Sequence, residues 1–219
     1  MPDPRPRPAE TARRGGRVRR AAALAGAPAL AVALALALTS GCSAGGASAG
    51  TGAPSGAATP VPAASLPPSV PDRIEIPGIG VDAPLDAVGL DSHGVMREPD
   101  FAKPKDAAWY QEGPTPGEAG AAAIVGHMDT PQVPEAVFFR LKTLREGQEV
   151  DVHRTDGTTA VFTVDGVDTF KKDAFPTNKV YGDTHGKAEL RLITCGGALT
   201  PDRHWDADVV VFAHLTGKA

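Results

Sequence analysis

The chain has 219 residues, with 22 Lys and Arg against 26 Asp and Glu for a formal charge of −4, and only two cysteines. That average hides three different polymers: residues 1–20 carry seven arginines and two acids, residues 21–71 carry no charged side chain, and residues 72–219 hold 15 basic and 24 acidic groups, a net −9. A net-acidic globular part with no basic cluster lacks the electrostatic footprint of a phosphate-backbone binder, so no nucleic-acid partner is expected. Cys42 and Cys195 stand on opposite sides of an expected processing site, which leaves no intrachain disulfide framework.

The N-terminal part reads as an address. A basic stretch to Arg20 precedes an uncharged Ala/Leu-rich segment that ends in Gly41-Cys42. A positive end followed by an apolar run and small residues marks an export signal, because the positive end stays inside while the apolar segment enters the bilayer. Two readings of residues 1–42 are open. Leu38-Thr-Ser-Gly-Cys42 resembles a bacterial lipoprotein box, which would put a lipid on Cys42; alternatively the segment is an uncleaved signal-anchor helix. Either one places the rest of the chain at the extracellular face of the cell membrane. Residues 43–71 are almost wholly Ala, Gly, Ser, Thr and Pro, with Leu66 and two valines as the only larger apolar side chains. Such a segment buries too little surface to offset its ordering entropy, and a disordered linker is expected.

Residues 72–219 are the size of one domain with a proper core. Their periodicity is mostly two. Arg73–Ile76 alternates, Ala122–Val125 is a short apolar run, and Glu149–Val152 alternates up to the hairpin signal Thr155-Asp-Gly157. Thr159–Val167 continues beyond that turn, with Phe162 and Val164 on one face and Val161 and Thr163 on the other. Leu190–Thr194 and Val209–Phe212 complete the strands. One helix is predicted over Pro134–Leu144, where Val137, Leu141 and Leu144 form a stripe. The fold class is therefore all-β, a small barrel or sandwich with one or two short helices.

Two of these strands end in reactive side chains. Glu189–Cys195 is a β-prone run whose terminal thiol is followed by Gly196 and Gly197, and Ala122–His127 ends in an imidazole preceded by Gly126. A lone cysteine is most often a buried small hydrophobe. An exported chain, however, exposes an unpaired thiol to oxidation, so the thiol needs a reason to be there. A neutral imidazole can take a thiol's proton, and the resulting imidazolium stabilises the thiolate, which makes Cys195 and His127 a candidate nucleophile and base. His93, His153, His185, His204 and His214 sit near turns, charges or the chain end and read as solvated side chains. No second His/Cys pair stands near His127 and Asp129, so zinc-ligand spacing is absent and neither metal nor cofactor is expected.

Ile124-Val-Gly-His127, Leu192-Ile-Thr-Cys195 and the closing Asp208–Ala213 resemble the sortases, the cysteine transpeptidases of Gram-positive cell envelopes. Gly126–Asp129, Ala136–Leu141, Thr194–Gly197, Val209–Ala213 and the early Ile76–Ile79 resemble the actinobacterial class F branch most closely. The resemblance runs from about Arg73 to Leu215. It implies an eight-stranded sortase-type β-barrel in which His127 and Cys195 meet in a groove at one end, with groove loops that include Lys171 to Asp183. It also implies a third catalytic residue, an arginine after the cysteine that stabilises the oxyanion. Arg203 is the only arginine after Cys195, so the role falls to it. Here the chain departs from the family, which places that arginine at the start of the final strand, where this chain has Asp206-Ala-Asp208. Arg191, with the strand parity of Cys195, is the runner-up.

The resemblance further implies a thioester acyl-enzyme formed from a C-terminal sorting signal of an exported protein and passed to a cell-wall amine, by a chain that is expected to act as a monomer. Two rival readings stay open on the residues alone. One is a cysteine peptidase or hydrolase that uses water as the acceptor. The other is a non-enzymatic surface lipoprotein with a decayed site, a reading that rests on the displaced arginine.

Overall fold

A computed structural model describes residues 63–219; the expected signal or anchor segment and most of the expected linker lie outside them. Eight strands form a closed barrel: β1 (Pro71–Ile76), β2 (Val81–Val88), β3 (Ala107–Tyr110), β4 (Gly120–Gly126), β5 (Glu149–Arg154), β6 (Thr159–Lys171), β7 (Ala188–Leu199) and β8 (Trp205–Lys218). Around the barrel they run β1-β2-β3-β4-β7-β8-β6-β5, with β5 returning to β1. Closure removes the open edges that would otherwise invite pairing with other chains. Only β2–β3 and β4–β7 are parallel neighbours.

Alternation along the strands fills the interior. On β6, Ala160, Phe162 and Val164 are buried while Val161 and Thr163 are only partly so, which is the facing the sequence predicts. The β5–β6 hairpin turns where expected. Gly157 takes a φ of +82°, and the Asp156 carboxylate accepts hydrogen bonds from the N–H and hydroxyl of Thr158. Ile74, Ile76, Val150, Val152, Leu190 and Leu192 complete the centre of the core. A second, smaller cluster of Val180, Ile193 and Val210, with Phe170, Phe175 and Phe212 against it, lies under the only α-helix among the described residues, α1 (Thr177–Tyr181).

Three expectations change. First, Pro134–Leu144 is a series of turns with one 3₁₀ turn at Leu141–Thr143, not an α-helix. Val137, Leu141 and Leu144 are buried as predicted, but so is Phe138, which lies off their stripe. The N–H groups of Val137 and Phe138 are drawn away to the carbonyls of Pro104 and His127, so they cannot build a helical ladder. Phe138 is fully buried. Phe138→Ala is expected to destabilise the domain by about 3–5 kcal/mol, read as a lower urea midpoint at unchanged m-value.

Second, β2 and β3 are not legible in the sequence: β2 carries Pro84, and β3 is four residues long. Third, the folded part begins ahead of Asp72. The N–H of Ala63 bonds Leu215 O at 3.0 Å, that of Leu66 bonds Gly117 O at 2.7 Å, and the Arg154 guanidinium donates to the Pro67 carbonyl. Leu66, the one leucine of the expected linker, packs against the core. The disordered linker expected through Pro71 thus gives up residues 63–71 to the barrel.

Candidate active site

Strands β4 and β7 carry the candidate pair. They are parallel neighbours, in register from Gly120 opposite Ala188 to Val125 opposite Ile193. His127 and Cys195 each stand two residues beyond that last pair, so the register delivers imidazole and thiol to the same end of the barrel. The Thr194 hydroxyl donates to Gly126 O at 2.7 Å, which ties together the residues just before them. Gly126 is required by close approach: a Cβ there would lie 2.6 Å from Phe138 Cδ2 and 2.7 Å from Val137 Cγ1.

Cys195 is not at the end of its strand as the sequence implies. β7 runs on to Leu199, and its register with β8 shifts between Gly196 and Leu199. Gly197 takes a φ of +83°, and a Cβ on it would fall 2.2 Å from Asp206 Oδ1. The two glycines therefore form an irregularity next to the thiol rather than a terminus, a common device for re-aiming a side chain at a site.

The thiol and the imidazole line one cavity of 480 Å³. Val95, Met96, Val125, Ile193, Phe175 and Tyr181 supply its apolar walls, while Arg97, Glu98, Lys172 and Asp208 bring charge. The Lys171–Asp183 stretch contributes Lys172, Phe175 and Tyr181, so the segment expected among the groove loops does reach the groove. On the other side, the β2–β3 connection leans over the imidazole. His127 Nε2 lies 2.9 Å from Pro99 O, and the Phe101 ring sits 4.4 Å from the His127 ring, centroid to centroid. A carbonyl only accepts, so Nε2 carries the proton in this arrangement.

Electrostatics around the thiol are mixed. Burial pushes the Cys195 thiol up, and the carboxylates of Asp208 and Glu98 push the same way; Lys172, with Nζ 3.6 Å from Sγ, pulls it down. Asp208 is the β8 partner directly opposite Cys195, and burial raises its carboxyl, again opposed by Lys172 at 3.7 Å. Burial also pushes Tyr181 up to about 12, so it stays a neutral phenol.

The structure does not bring Arg203 to this groove. It sits in the exposed turn between β7 and β8, at a φ of +65°, with its N–H bonded to Thr200 O at 2.9 Å, and it is not among the residues lining the cavity. Asp206, near the family's arginine position, pairs with Lys171 and accepts from the N–H of Ala198 at 2.8 Å. Arg191 is no substitute. It is buried under α1, where it donates to Val180 O at 3.0 Å, pairs with Glu189 and stacks on the Phe212 ring. Its strand parity is correct, but its side chain is spent on holding α1 to the sheet. Lys172 and Asp208 were missed by sequence reasoning. Their one available signal was the dense charge of Lys171-Lys172-Asp173 and Asp206-Ala-Asp208 at adjoining strand ends.

A closed eight-stranded barrel with a thiol and an imidazole delivered to one groove by parallel strands defines a candidate cysteine enzyme. The family model described as "Sortase domain" matches residues 74–216, and the chain belongs to the sortase family. Among solved structures it is similar to a lid mutant of sortase A from Corynebacterium diphtheriae, at 19% identity and a TM-score of 0.51, covering 69% of this chain and 73% of that one. It is also similar to a pilus-related sortase C of Group B Streptococcus, at 19% identity and a TM-score of 0.52, covering 69% of each chain. At these identities the likeness establishes the barrel fold. No curated protein sequence matches the chain.

Proposed function

We propose that this sortase-family chain is a cysteine transpeptidase that cleaves a C-terminal sorting signal and passes the acyl group to a cell-envelope amine. The observation that carries the reading is the convergence of Cys195 and His127 in one apolar-walled groove, each placed by the β4–β7 register. The Cys195 thiolate attacks the scissile carbonyl, forming an S–C bond and moving the carbonyl π pair onto oxygen. The tetrahedral intermediate collapses, the C–N bond breaks, and His127 as imidazolium gives its proton to the departing amine. The acceptor amine then attacks the thioester, gives a proton to neutral His127, and expels the Cys195 thiolate as the C–S bond breaks, which restores the starting thiolate and imidazolium.

The walls formed by Val95, Met96, Val125, Ile193, Phe175 and Tyr181 suit the apolar residues of a Leu-Pro-type signal. The class F reading is supported by Gly126–Asp129, Thr194–Gly197 and Val209–Ala213. A site at the extracellular face of the membrane, tethered through the N-terminal segment or a lipid on Cys42, suits substrates and acceptors that are themselves held at the envelope. The test is product partition. Incubated with Leu-Pro-type pentapeptides and an amine acceptor, the full chain is expected to yield acceptor-linked peptide in excess of free acid. Free acid alone at saturating amine would make the chain a hydrolase.

A further inference from the structure

We infer that Lys172 supplies the positive charge at the nucleophile of this sortase-family chain, in the place the family gives to an arginine, and that Asp208 positions it. The inference rests on the acyl-transfer reading above and deepens it by naming a further catalytic residue.

Three observations carry it. Lys172 Nζ stands 3.6 Å from Cys195 Sγ and lines the groove with Cys195 and His127. Its other neighbour, Asp208 Oδ1 at 3.7 Å, belongs to the residue directly opposite Cys195 in the β7–β8 ladder, so the carboxylate holds the ammonium over the thiol's face of the sheet. The arginines offer no equivalent: Arg203 lies in an exposed turn outside the groove, and Arg191 is buried in contacts under α1. Arg97 does line the groove, but on the β2–β3 connection, and none of its guanidinium atoms bonds the thiol.

The local chemistry needs such a cation. The thiol is desolvated and has a carboxylate directly across the ladder, and both conditions disfavour a thiolate. An ammonium at 3.6 Å offsets them in the free enzyme. When the S–C bond forms, the negative charge leaves sulfur for the carbonyl oxygen, and the same flexible ammonium can donate a hydrogen bond to it. Lys172 neither loses nor gains a proton across the cycle; His127 alone transfers one.

The test uses the full chain and two readouts: iodoacetamide alkylation followed against pH at the Cys195 peptide, resolved by mass from any adduct on Cys42, and acyl-enzyme formation with a Leu-Pro-type pentapeptide. Lys172→Met is expected to slow alkylation at pH 7 by at least about tenfold, with the profile displaced to higher pH, and to slow acylation about 100-fold or more. Lys172→Arg, which keeps the charge, is expected to recover most of both. Lys171→Met removes a neighbouring charge that pairs with Asp206 outside the groove, and is expected to leave the alkylation profile unmoved. Lys172→Met with wild-type alkylation and acylation would overturn the inference, as would Lys172→Arg no better than Lys172→Met in a folded protein. Should Lys172→Met displace the alkylation profile while the wild type acylates with no peptide, the transpeptidase reading fails and the pairing of lysine with thiol stands.

Discussion

Cys195→Ala is expected to remove acyl transfer, lowering peptide turnover by about four orders of magnitude or more. Among the side chains lining the groove, the Cys195 thiol is the strongest nucleophile. The lining offers the thiol of Cys195, the imidazole of His127, the Thr194 hydroxyl committed to Gly126 O, the Tyr181 phenol held neutral by burial, and the Lys172 ammonium engaged with Asp208. The substitution removes one sulfur from a half-buried position, so the protein should stay folded at a cost of about 1 kcal/mol. Far-ultraviolet circular dichroism would confirm the fold, and single-turnover assays would read the loss. A folded Cys195→Ala protein that still turned over peptide at more than about a hundredth of the wild-type rate would place the chemistry elsewhere.

His127→Gln is expected to lower turnover by about 10²–10⁴-fold, the contribution of a positioned general acid. Glutamine is the sharper replacement than alanine. Its amide N–H can keep the hydrogen bond that Nε2 makes to Pro99 O, and the side chain can remain under Phe101, so the loop stays where it is while the transferable proton is gone. The loss should fall on amine departure rather than on the nucleophile. With Lys172 still 3.6 Å from Sγ, alkylation of Cys195 at neutral pH should change by less than about tenfold. The two variants would then separate the two proposed jobs, proton transfer by His127 and a positive charge at the thiol by Lys172. Equal losses of alkylation and turnover in His127→Gln would instead make the imidazole the partner of the thiolate.

Much of this architecture is legible in the residues themselves, because its signals are local. The alternation of Thr159–Val164 and the turn at Asp156-Gly157 each report a backbone requirement that the chain imposes on the spot. The placing of His127 and Cys195 in one groove is also within reach, since the family resemblance joins two β-prone runs far apart in the chain. What escapes depends on partners. Pro84 argues against a strand, yet β2 forms because β1 and β3 flank it and fix its register. Pro134–Leu144 has a helical stripe, yet its N–H groups find better acceptors at Pro104 and His127. Leu66 stands out as the exception in its segment, but only the core beside Gly117 explains it.

The arginine shows the same limit at the site. Position after the cysteine nominates Arg203, whereas the fold puts it in an exposed turn and brings Lys172 to the thiol from just beyond the end of a different strand, β6. Register and strand length decide that juxtaposition. They are set by the β6–β8 and β7–β8 ladders together, and no motif in either segment encodes them alone.

The proposed transpeptidase acylates Cys195 with a peptide and hands the acyl group to an amine. The most direct measurement of this is the intact mass of the full chain mixed with a panel of Leu-Pro-type pentapeptides, before and after an amine acceptor is added. An adduct of the acyl fragment's mass is expected on Cys195, absent in Cys195→Ala and discharged by the amine with formation of the new peptide bond. A folded chain that takes no adduct from any peptide, while iodoacetamide labels Cys195 readily, would contradict the proposal.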